Sequence, residues 1–513
     1  MGRCIYGGIY DPGNPLSDDN GFRKDVIEAL KELKVPVVRY PGGNFVATYH
    51  WFDGVGPKDQ RRSRPELAWS SADSNEFGTD EFLKWCKIVG TEPYFVLNFG
   101  TGTLDEALAW VEYCNSAGNT YYANLRRKNG HEKPYNVKYW ALGNEVWGSW
   151  QVGQMTKESY AEKAWQWAKA LKRLDPKIEL ILCGQEGYGS WDSYVLKECI
   201  KWDPHALGMK TSTGFISMHS IHIYTTSKDH LPNVTGESNI DGMNFGSAIT
   251  DLKTAPKCAE RAIEITASLI DLARIENKVP HTIPKPTICF DEWNVWDPRR
   301  APGDKGAEEQ YVNPDRPNSI WLPKFIVQLT LCRYTLSDAL AVAVWLNVFI
   351  RQSKYIGMAN IAQSVNVISP LMTTKERVVK QATWWPLFLF SKYMRGYTVA
   401  VNLCCSEYVG PTEPAWIRGT IETPWLDVSA TVSNDKWLNL AVVNISEEKD
   451  FEVNIKGTGE KEAQVFTVTG RRTVATNTED EQQVAVTESK WDGKSHFVFP
   501  KHSLTMVRWR LET

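Results

Sequence analysis

The chain has 513 residues, with 58 basic and 61 acidic side chains and a net charge of −3. This near balance argues against a nucleic-acid-binding coat, which needs a strong basic excess, and no apolar run reaches the ~18 residues that a membrane span needs. The length fits about three average domains, or one large α/β barrel with a smaller module. The 22 tryptophans favour carbohydrate binding only weakly, because protein cores use aromatic side chains as well as sugar-binding clefts.

The ten cysteines lie in apolar stretches and show neither CxxC nor zinc-ligand spacing. They indicate buried, reduced thiols and a reducing compartment rather than disulfides. The sequence MGRCIYGGIYDPGNP also lacks a charged segment followed by an apolar one, which is the pattern of a signal peptide. We therefore expect a cytoplasmic protein that acts neither on nucleic acids nor at a membrane.

Seven short apolar runs, rich in β-branched or aromatic residues, alternate with segments of helical periodicity. Continuous hydrophobicity of this kind predicts parallel strands that are covered on both faces. The predicted strands are VPVVRYPG (35–42), EPYFVLNFG (92–100), VKYWALGNE (137–145), IELILCGQ (178–185), ISMHSIHIY (216–224), PTICFDEWN (286–294) and AVAVWLNVF (341–349). The predicted helices are 22–34, 79–90, 157–174 and 257–275. Repeated βα units predict an α/β fold of the (β/α)8 type, for which the seven runs supply one strand fewer than a closed barrel has.

From about residue 396 the pattern changes to alternating apolar and polar residues, with turns that carry Gly, Asn and Asp. A period of two predicts an antiparallel β-sandwich. Its clearest strands are WLNLAVVNI, DFEVNIKG, KEAQVFTVTG and HSLTMVRWRL. We therefore predict two domains, a βα barrel over 1–395 and a β-sandwich over 396–513.

Two glutamates end predicted strands of the barrel, Glu145 in GNE and Glu292 in DEWN. Active-site residues of βα barrels occupy the C-terminal ends of the strands. Cleavage of a glycosidic bond needs two carboxyl groups, one to protonate the leaving oxygen and one to attack the anomeric carbon or to activate water. The pair predicts a glycosidase, although either glutamate alone is more often a solvated loop residue or a salt-bridge partner.

Further motifs make the prediction specific: FRKDVIEALKELKVPVVRYPGGNF, DGVGPK, ALGNE, SIHIY, FDEWNVW, IAQSVNVISP and PKHSLTMVRW. In this order they resemble the α-L-arabinofuranosidases of glycoside hydrolase family 51, within the clan A retaining glycosidases. The resemblance implies a retaining, exo-acting enzyme that releases terminal arabinofuranose from arabinan, arabinoxylan or derived oligosaccharides by double displacement. It also implies a possible homo-oligomer, since many members of the family form hexamers. No metal or other cofactor is expected, because the charge develops on the sugar ring and the carboxylates stabilise it.

The resemblance assigns roles to individual residues. Glu145 is the expected acid/base and Glu292 the expected nucleophile, with their carboxyl groups ~5 Å apart. The expected substrate-binding residues are Arg39, Asn44, Asn144, His222, Tyr224 and Gln363, with Trp296 at a flanking position.

The residue types suit these roles. Arg39 can hold a carboxylate by a forked contact, and a tyrosine hydroxyl can donate to the nucleophile. His222 and Tyr224, two residues apart, face the same side of one strand. Without the resemblance, Arg39 could equally form a barrel-end salt bridge, and His222 and Gln363 could be structural.

The chain departs from the family pattern in three places. Family members carry a segment before GRCIYGGIY that supplies the first barrel strand, so we expect that strand to be missing here. Two stretches, 236–254 and 312–333, interrupt the pattern. Each is either a surface insertion, which barrel loops tolerate, or a translated intron of a eukaryotic gene, and 312–333 could also form a lid helix.

Two other functions stay open on the sequence alone. One is another clan A glycosidase, such as a xylosidase or an endoglucanase, which would differ in the shape of its sugar subsite. The other is an inactive carbohydrate-binding remnant, which a missing strand favours and the two retained glutamates oppose. The YPGGNF and AQ-VNVI-P matches favour the arabinofuranosidase.

Overall fold

Seven parallel strands form the central sheet of the protein in the computed structural model. The structure describes residues 2–69, 71–203, 214–225, 254–295, 333–407, 424–458, 461–494 and 496–511. In spatial order the strands are β1 Val37–Tyr40, β4 Glu92–Val96, β5 Tyr139–Leu142, β6 Glu179–Leu182, β7 Met218–Thr225, β8 Thr287–Val295 and β9 Ile356–Ile361. The end strands β1 and β9 approach each other, so the sheet is a nearly closed barrel. A short hairpin, β2 Arg64–Glu66 and β3 Ser71–Asp73, lies outside this sheet. The predicted βα barrel is confirmed.

Side chains from alternate strand positions fill the barrel interior, as in a packed core rather than a pore. The members of this inner cluster are Val46, Tyr94, Val96, Ala141, Ile181, Met218, Cys289 and Met358. A much larger apolar layer lies between the strands and the surrounding helices. The C-terminal strand ends are therefore held rigidly between two apolar layers.

Helices follow most of the barrel strands. They are α1 Gly2–Ile5, α2 Lys24–Glu32, α3 Thr79–Val89, α4 Leu104–Asn115, α5 Tyr121–Lys128, α6 Lys157–Leu174, α7 Ser190–Cys199, α8 Thr254–Glu276, α9 Leu336–Arg351 and α10 Trp384–Tyr393, with 3-10 turns at Asn44–Thr48, Trp51–Gly54 and Lys58–Gln60. The four predicted helices are confirmed as α2, α3, α6 and α8. In α2 one apolar face is buried, with Val26 and Leu30 almost fully covered. At the end of α3, Gly90 takes a left-handed conformation (φ 84°), which a glycine adopts without a steric penalty.

One strand prediction is wrong. The run 341–349 lies inside helix α9, and the seventh barrel strand is β9, which follows it. The helix begins at a capping box, in which Thr335 accepts a hydrogen bond from the Asp338 N–H and Asp338 accepts one from the Thr335 N–H. Its residues are apolar all round because α9 is buried between the barrel and the C-terminal sheet, so it shows no polar face in the sequence.

The C-terminal part contains a six-stranded antiparallel sheet. Its strands, in spatial order, are β12 Tyr397–Val399, β13 Leu426–Val432, β14 Trp437–Asn444, β19 Ser503–Arg510, β16 Ala463–Thr469 and β17 Ala485–Trp491. A small antiparallel pair accompanies it, β15 Phe451–Val453 with β18 Phe497–Phe499. Another pair, β10 Leu371–Thr373 with β11 Val378–Lys380, lies earlier in the chain, between β9 and α10. The predicted antiparallel module is confirmed, whereas the domain boundary at 395/396 stays a prediction.

Some predictions concern residues outside the described part. Apart from Thr254 and Arg333, the two stretches 236–254 and 312–333 are not described, and neither is Trp296. Among the described helices, none combines the length and the apolar character that crossing a membrane requires.

Candidate active site

Glu145 and Glu292 meet at the C-terminal end of the barrel. Glu145 follows β5 directly, and Glu292 lies in the last part of β8. One carboxylate oxygen of each lies within 4.8 Å of the other. This is near the ~5–5.5 Å carboxyl separation of retaining glycosidases and short of the ~6.5–9.5 Å of inverting ones.

The backbone before Glu145 turns sharply out of β5. Gly143 has a φ of 93° and Glu145 itself a φ of 44°, both in the left-handed region. Left-handed backbone is uncommon for a residue with a side chain and recurs at functional sites. The turn carries the Glu145 carboxylate from the strand toward His222.

A β-bulge in β8 explains how two adjacent acidic residues face the same pocket. Between Cys289 and Glu292 the strand advances three residues while β7 advances only two, from Ser220 to His222. The register with β9 shifts in the same place. In a regular strand neighbouring side chains point to opposite faces, and one extra residue removes that alternation. Asp291 and Glu292 therefore both reach the barrel axis.

Three of the predicted residues hold the two glutamates. Arg39 Nη1 donates to Glu292 Oε1 at 2.7 Å, and Tyr224 Oη donates to Glu292 Oε2 at 2.7 Å. His222 Nδ1 lies 2.9 Å from Glu145 Oε1 and 3.7 Å from Glu292 Oε2. Residues His222 and Glu292 are register partners across β7 and β8, which places their side chains together.

These contacts set the protonation states of Glu292, His222 and Tyr224. Burial raises the pKa of Glu292, but His222, Arg39 and the Tyr224 hydroxyl outweigh it and keep that pKa below its usual range. Burial lowers the pKa of His222, but Glu292 and Asp291 together raise it to about 10. Burial and the neighbouring carboxylates raise the pKa of Tyr224 well above its usual value, so the hydroxyl keeps its proton and donates. Glu292 is thus an ionised carboxylate at neutral pH, as a nucleophile must be.

Two asparagines complete the predicted set near the pair. Arg39 Nη2 donates to Asn144 Oδ1 at 2.5 Å, and Asn144 Nδ2 is buried with no hydrogen-bond partner among the described residues. Gln151 Nε2 donates to the Asn144 backbone oxygen at 2.7 Å and lies 3.4 Å from Asn44 Oδ1. The unused Asn144 amide is the kind of group that a sugar hydroxyl satisfies.

Gln363 has no hydrogen bond to this cluster among the described residues. Gln363 comes two residues after β9 and is exposed, and its side-chain oxygen accepts a hydrogen bond from the Cys4 thiol. Its position next to the Glu292 strand fits the predicted role without demonstrating it, and Trp296 lies outside the described residues.

Four participants were not predicted. Asp291, Tyr94 and Ser220 form a buried polar layer beneath the two glutamates, and Gln151 supports the two asparagines. Asp291 stands next to Glu292 in DEWN, so its position in the sequence was visible, but ordinary strand alternation would have pointed it away from the pocket.

The three donor atoms of Glu145, His222 and Glu292 lie within 4.8 Å of one another, a spacing that a metal ion could span. Both ring nitrogens of His222 already face carboxylates, however, with Nδ1 2.9 Å from Glu145 Oε1 and Nε2 3.2 Å from Asp291 Oδ1. Arg39 already supplies a positive charge at Glu292. The absence of a metal or other cofactor stays a prediction.

Comparisons with known proteins identify the family. Residues 29–235 match the family model described as the alpha-L-arabinofuranosidase 1 domain, and residues 291–503 match the alpha-L-arabinofuranosidase C-terminal domain. A probable alpha-L-arabinofuranosidase C of Aspergillus clavatus is 64% identical over 513 residues, covering 100% of this chain and 93% of that protein. This chain belongs to the α-L-arabinofuranosidase family. The enzyme is accordingly a glycoside hydrolase with a glycan substrate.

Two more distant proteins agree. An intracellular exo-alpha-(1->5)-L-arabinofuranosidase 1 of Bacillus subtilis is 33% identical over 461 residues, covering 89% of this chain and 82% of that protein. The solved structure of the thermostable GH51 alpha-L-arabinofuranosidase from Thermotoga petrophila RKU-1 is 34% identical, with a TM-score of 0.79 over 99% of this chain and 95% of that one. The predicted family 51 arabinofuranosidase is thus confirmed, and neither another clan A glycosidase nor a binding remnant is favoured.

Proposed function

We propose that this arabinofuranosidase releases terminal α-L-arabinofuranose by double displacement, with Glu145 as acid/base and Glu292 as nucleophile. The observation that carries the proposal is the pair of carboxylate oxygens within 4.8 Å, one of them ionised by its surroundings. This separation leaves room for the anomeric carbon but not for a water molecule between base and sugar, which is the requirement of a retaining mechanism.

In the first step Glu292 attacks the anomeric carbon and the bond from that carbon to the leaving oxygen breaks. Glu145 gives its proton to the leaving oxygen, so the aglycone departs as an alcohol. The products are an arabinosyl ester on Glu292 and an ionised Glu145. Arg39 and Tyr224 orient the Glu292 carboxylate for this attack, because each donates a hydrogen bond to one of its oxygens.

In the second step the ionised Glu145 takes a proton from water. The water oxygen attacks the anomeric carbon from the side that the aglycone left, and the ester bond to Glu292 breaks. Arabinose leaves with its original configuration, Glu145 again holds a proton, and Glu292 is again a carboxylate. His222, 2.9 Å from Glu145, orients the carboxyl group for both proton transfers.

The sugar is held by side chains around the pair. Asn144 Nδ2 is available for the hydroxyl next to the reacting carbon, and Asn44, Gln363 and Trp296 are proposed to contact the rest of the ring or its flank. Terminal residues of arabinan, arabinoxylan and derived oligosaccharides are the proposed substrates. The exo action and α-(1→5) linkage in the name of the Bacillus subtilis relative support this choice.

The catalytic roles are tested by removing each carboxylate. Glu292→Ala should abolish hydrolysis of 4-nitrophenyl α-L-arabinofuranoside, because no ester can form. Glu145→Ala should retain ester formation with this good leaving group, lose on the order of 10²–10⁴-fold in turnover, and recover with azide, which needs no base. The recovered product should be an arabinofuranosyl azide of retained configuration. The exposed Glu488→Ala is the matched control and should behave as wild type.

An inverted azide product, or full activity of Glu292→Ala, would assign the nucleophile to another residue. Equal losses in both glutamate variants with no azide effect would remove the acid/base assignment. Thermal unfolding of each variant separates these results from misfolding.

We also propose that the enzyme works in a reducing compartment such as the cytoplasm, and as a homo-oligomer. The nine described cysteines are all free thiols, and six of them are buried, which supports the first proposal. The hexamers of the family support the second. Fractionation of cells and sedimentation of the purified protein test the two proposals separately.

A further inference from the structure

Asp291 is a buried carboxylate that the mechanism above does not use. It is 2% exposed and is turned inward by the β8 bulge. Ser220 Oγ donates to its Oδ1 at 2.5 Å, and Tyr94 Oη donates to its Oδ2 at 2.8 Å. Both of its carboxylate oxygens contact these two hydroxyls and two cationic side chains, so Asp291 faces protein groups and not the sugar.

The two cations connect Asp291 to the catalytic pair. His222 Nε2 lies 3.2 Å from Asp291 Oδ1, while its other nitrogen, Nδ1, lies 2.9 Å from Glu145. Arg39 Nε lies 3.4 Å from Asp291 Oδ2, while its Nη1 lies 2.7 Å from Glu292. Asp291 therefore stands behind both side chains that hold the glutamates.

We propose that Asp291 is a positioning residue of this reaction, which holds His222 and Arg39 from behind so that their outer nitrogens face Glu145 and Glu292. The inference rests on the proposed roles of those two glutamates. Asp291 touches neither substrate nor reacting atoms and acts only through the two cations.

Charge balance gives the physical reason. With Glu145 protonated, the positive charges of Arg39 and His222 match the negative charges of Asp291 and Glu292. Removal of Asp291 leaves a surplus positive charge in a buried site, which is costly. The least costly relief is loss of the His222 proton, because the guanidinium of Arg39 does not deprotonate in proteins. A neutral His222, no longer tethered at Nε2, can turn away from Glu145.

Titratable groups from several elements face Asp291 and His222. These groups are Arg39 of β1, Tyr94 of β4, Glu145 after β5, Tyr160 of α6, Cys183 after β6, Tyr224 of β7, and Cys289 and Glu292 of β8. Burial raises the pKa of both thiols and of the three phenols in this set, so they stay neutral near pH 7. Charge in this set is therefore confined to the carboxyl groups and the two cations.

The test compares Asp291→Asn with wild type in two measurements. Histidine-selective ¹³C,¹⁵N NMR reports the protonation of His222, whose signal is assigned by its absence in His222→Gln. Hydrolysis of aryl arabinofuranosides with good and poor leaving groups across the pH range reports catalysis. In wild type His222 should remain protonated through neutral pH, whereas in Asp291→Asn it should lose its proton at a clearly lower pH. We expect kcat/KM to fall on the order of 10²-fold with the poor leaving group, which needs the proton of Glu145, and less with the good one.

Two further variants keep the test decisive. Asp192→Asn is the matched control, because Asp192 forms another buried carboxylate–histidine contact, 2.8 Å from His219, that does not touch the glutamates. It should leave the His222 titration and the shape of the pH profile unchanged. Tyr94→Phe keeps the charge of Asp291 but removes one hydrogen bond that holds it in place. It should leave His222 protonated through neutral pH and lower kcat/KM on the order of 10-fold with the poor leaving group. It carries the test if Asp291→Asn does not fold.

The inference is overturned if Asp291→Asn folds and matches wild type in the His222 titration and the leaving-group dependence, or if Tyr94→Phe matches wild type in the leaving-group dependence. It is also overturned if Asp192→Asn produces the changes expected of Asp291→Asn. Failure of the proposed function looks different. A wild-type enzyme that cleaves no arabinofuranoside would refute that function, while the NMR titration would still decide whether Asp291 controls His222.

Discussion

Tyr224 and Arg39 each donate to one oxygen of Glu292 at the same distance, 2.7 Å, but they differ in what they contribute. Arg39 brings a full charge, whereas the phenol brings a hydrogen bond whose proton is retained because the pKa of Tyr224 is raised by burial and by the carboxylates. The hydroxyl can thus be removed without creating an unpaired buried charge. Its contribution to the nucleophile is accessible to a single substitution.

Tyr224→Phe should lower kcat/KM by about 10- to 100-fold, the equivalent of a hydrogen bond to a charged group. The Tyr224 hydroxyl lowers the pKa of Glu292, so its loss raises that pKa. A higher pH is then needed to ionise Glu292 before it can attack. The acidic limb of the kcat/KM profile should therefore move to higher pH while the basic limb stays in place. Tyr121→Phe, at an exposed tyrosine, is the control. An unmoved acidic limb would contradict the assigned hydrogen bond.

At the scale of residues, the sequence predicted the charged pair and its direct neighbours but not the layer behind them. Glu145 and Glu292 were recognisable because both end apolar runs in short motifs. Asp291 was not, because its inward direction depends on a bulge, and a bulge is a property of strand pairing that one strand's sequence does not show. Gln151 was missed for a related reason, since one of its partners, Asn44, follows β1, a different strand from the one that precedes Gln151.

At the scale of elements, the end of β5 shows how a backbone turn positions a reactive group. Gly143 is left-handed, and a Cβ added to it would lie 2.9 Å from the Cβ of Phe99. Phe99 is itself buried, so it has little room to retreat. The two features together make glycine the only residue that fits two positions before Glu145.

Gly143→Ala should therefore lower the free energy of unfolding by about 2–5 kcal/mol, from left-handed strain and overpacking together. It should also reduce kcat, because relief of the clash displaces Glu145. The matched control is Gly90→Ala, where φ is also left-handed but the new Cβ meets nothing within 4 Å. Denaturant titration of both variants separates the two terms. Equal losses would mean that contact with Phe99 adds nothing.

Helix α9 is the element whose type the hydrophobic pattern did not predict. Its apolar run has the composition of a buried strand, and periodicity does not separate a buried strand from a buried helix. The run is decided by its context: a capping box at Thr335 and Asp338 begins a helix of 16 residues, longer than the neighbouring strands. The exposed or half-exposed helices were predictable because their polar faces give a period of 3.6, which α9 lacks.

At the scale of the whole molecule, α9 joins the barrel to the C-terminal sheet. Asn347 donates to the Asp427 side chain at 2.9 Å and accepts from Ser429 at 2.6 Å. Arg351, in the last turn of α9, lies 2.8 Å from Glu260 of α8 and 3.0 Å from Asp427 of β13. One cation thus serves a carboxylate of the barrel layer and a carboxylate of the C-terminal sheet.

Arg351→Ala should lower the free energy of unfolding by about 3 kcal/mol, because Glu260 and Asp427 are left buried without their counter-ion. The loss should appear in denaturant titrations followed by both tryptophan fluorescence and circular dichroism. Lys490→Ala, which breaks an exposed ion pair with Glu462, is the control and should leave stability unchanged. An unchanged free energy of unfolding after Arg351→Ala would show that these two ion pairs do not stabilise the junction.

The bulge in β8 has one more consequence. A single additional residue lets the consecutive carboxylates Asp291 and Glu292 lie on one side of the sheet. Their proximity therefore depends on the number of residues in β8 as well as on the residue types. Sliding β8 by one step would exchange the facing of every side chain beyond that point and present a tryptophan where the attacking oxygen now stands. The length of β8 therefore matters to catalysis as much as the identity of its acidic residues does.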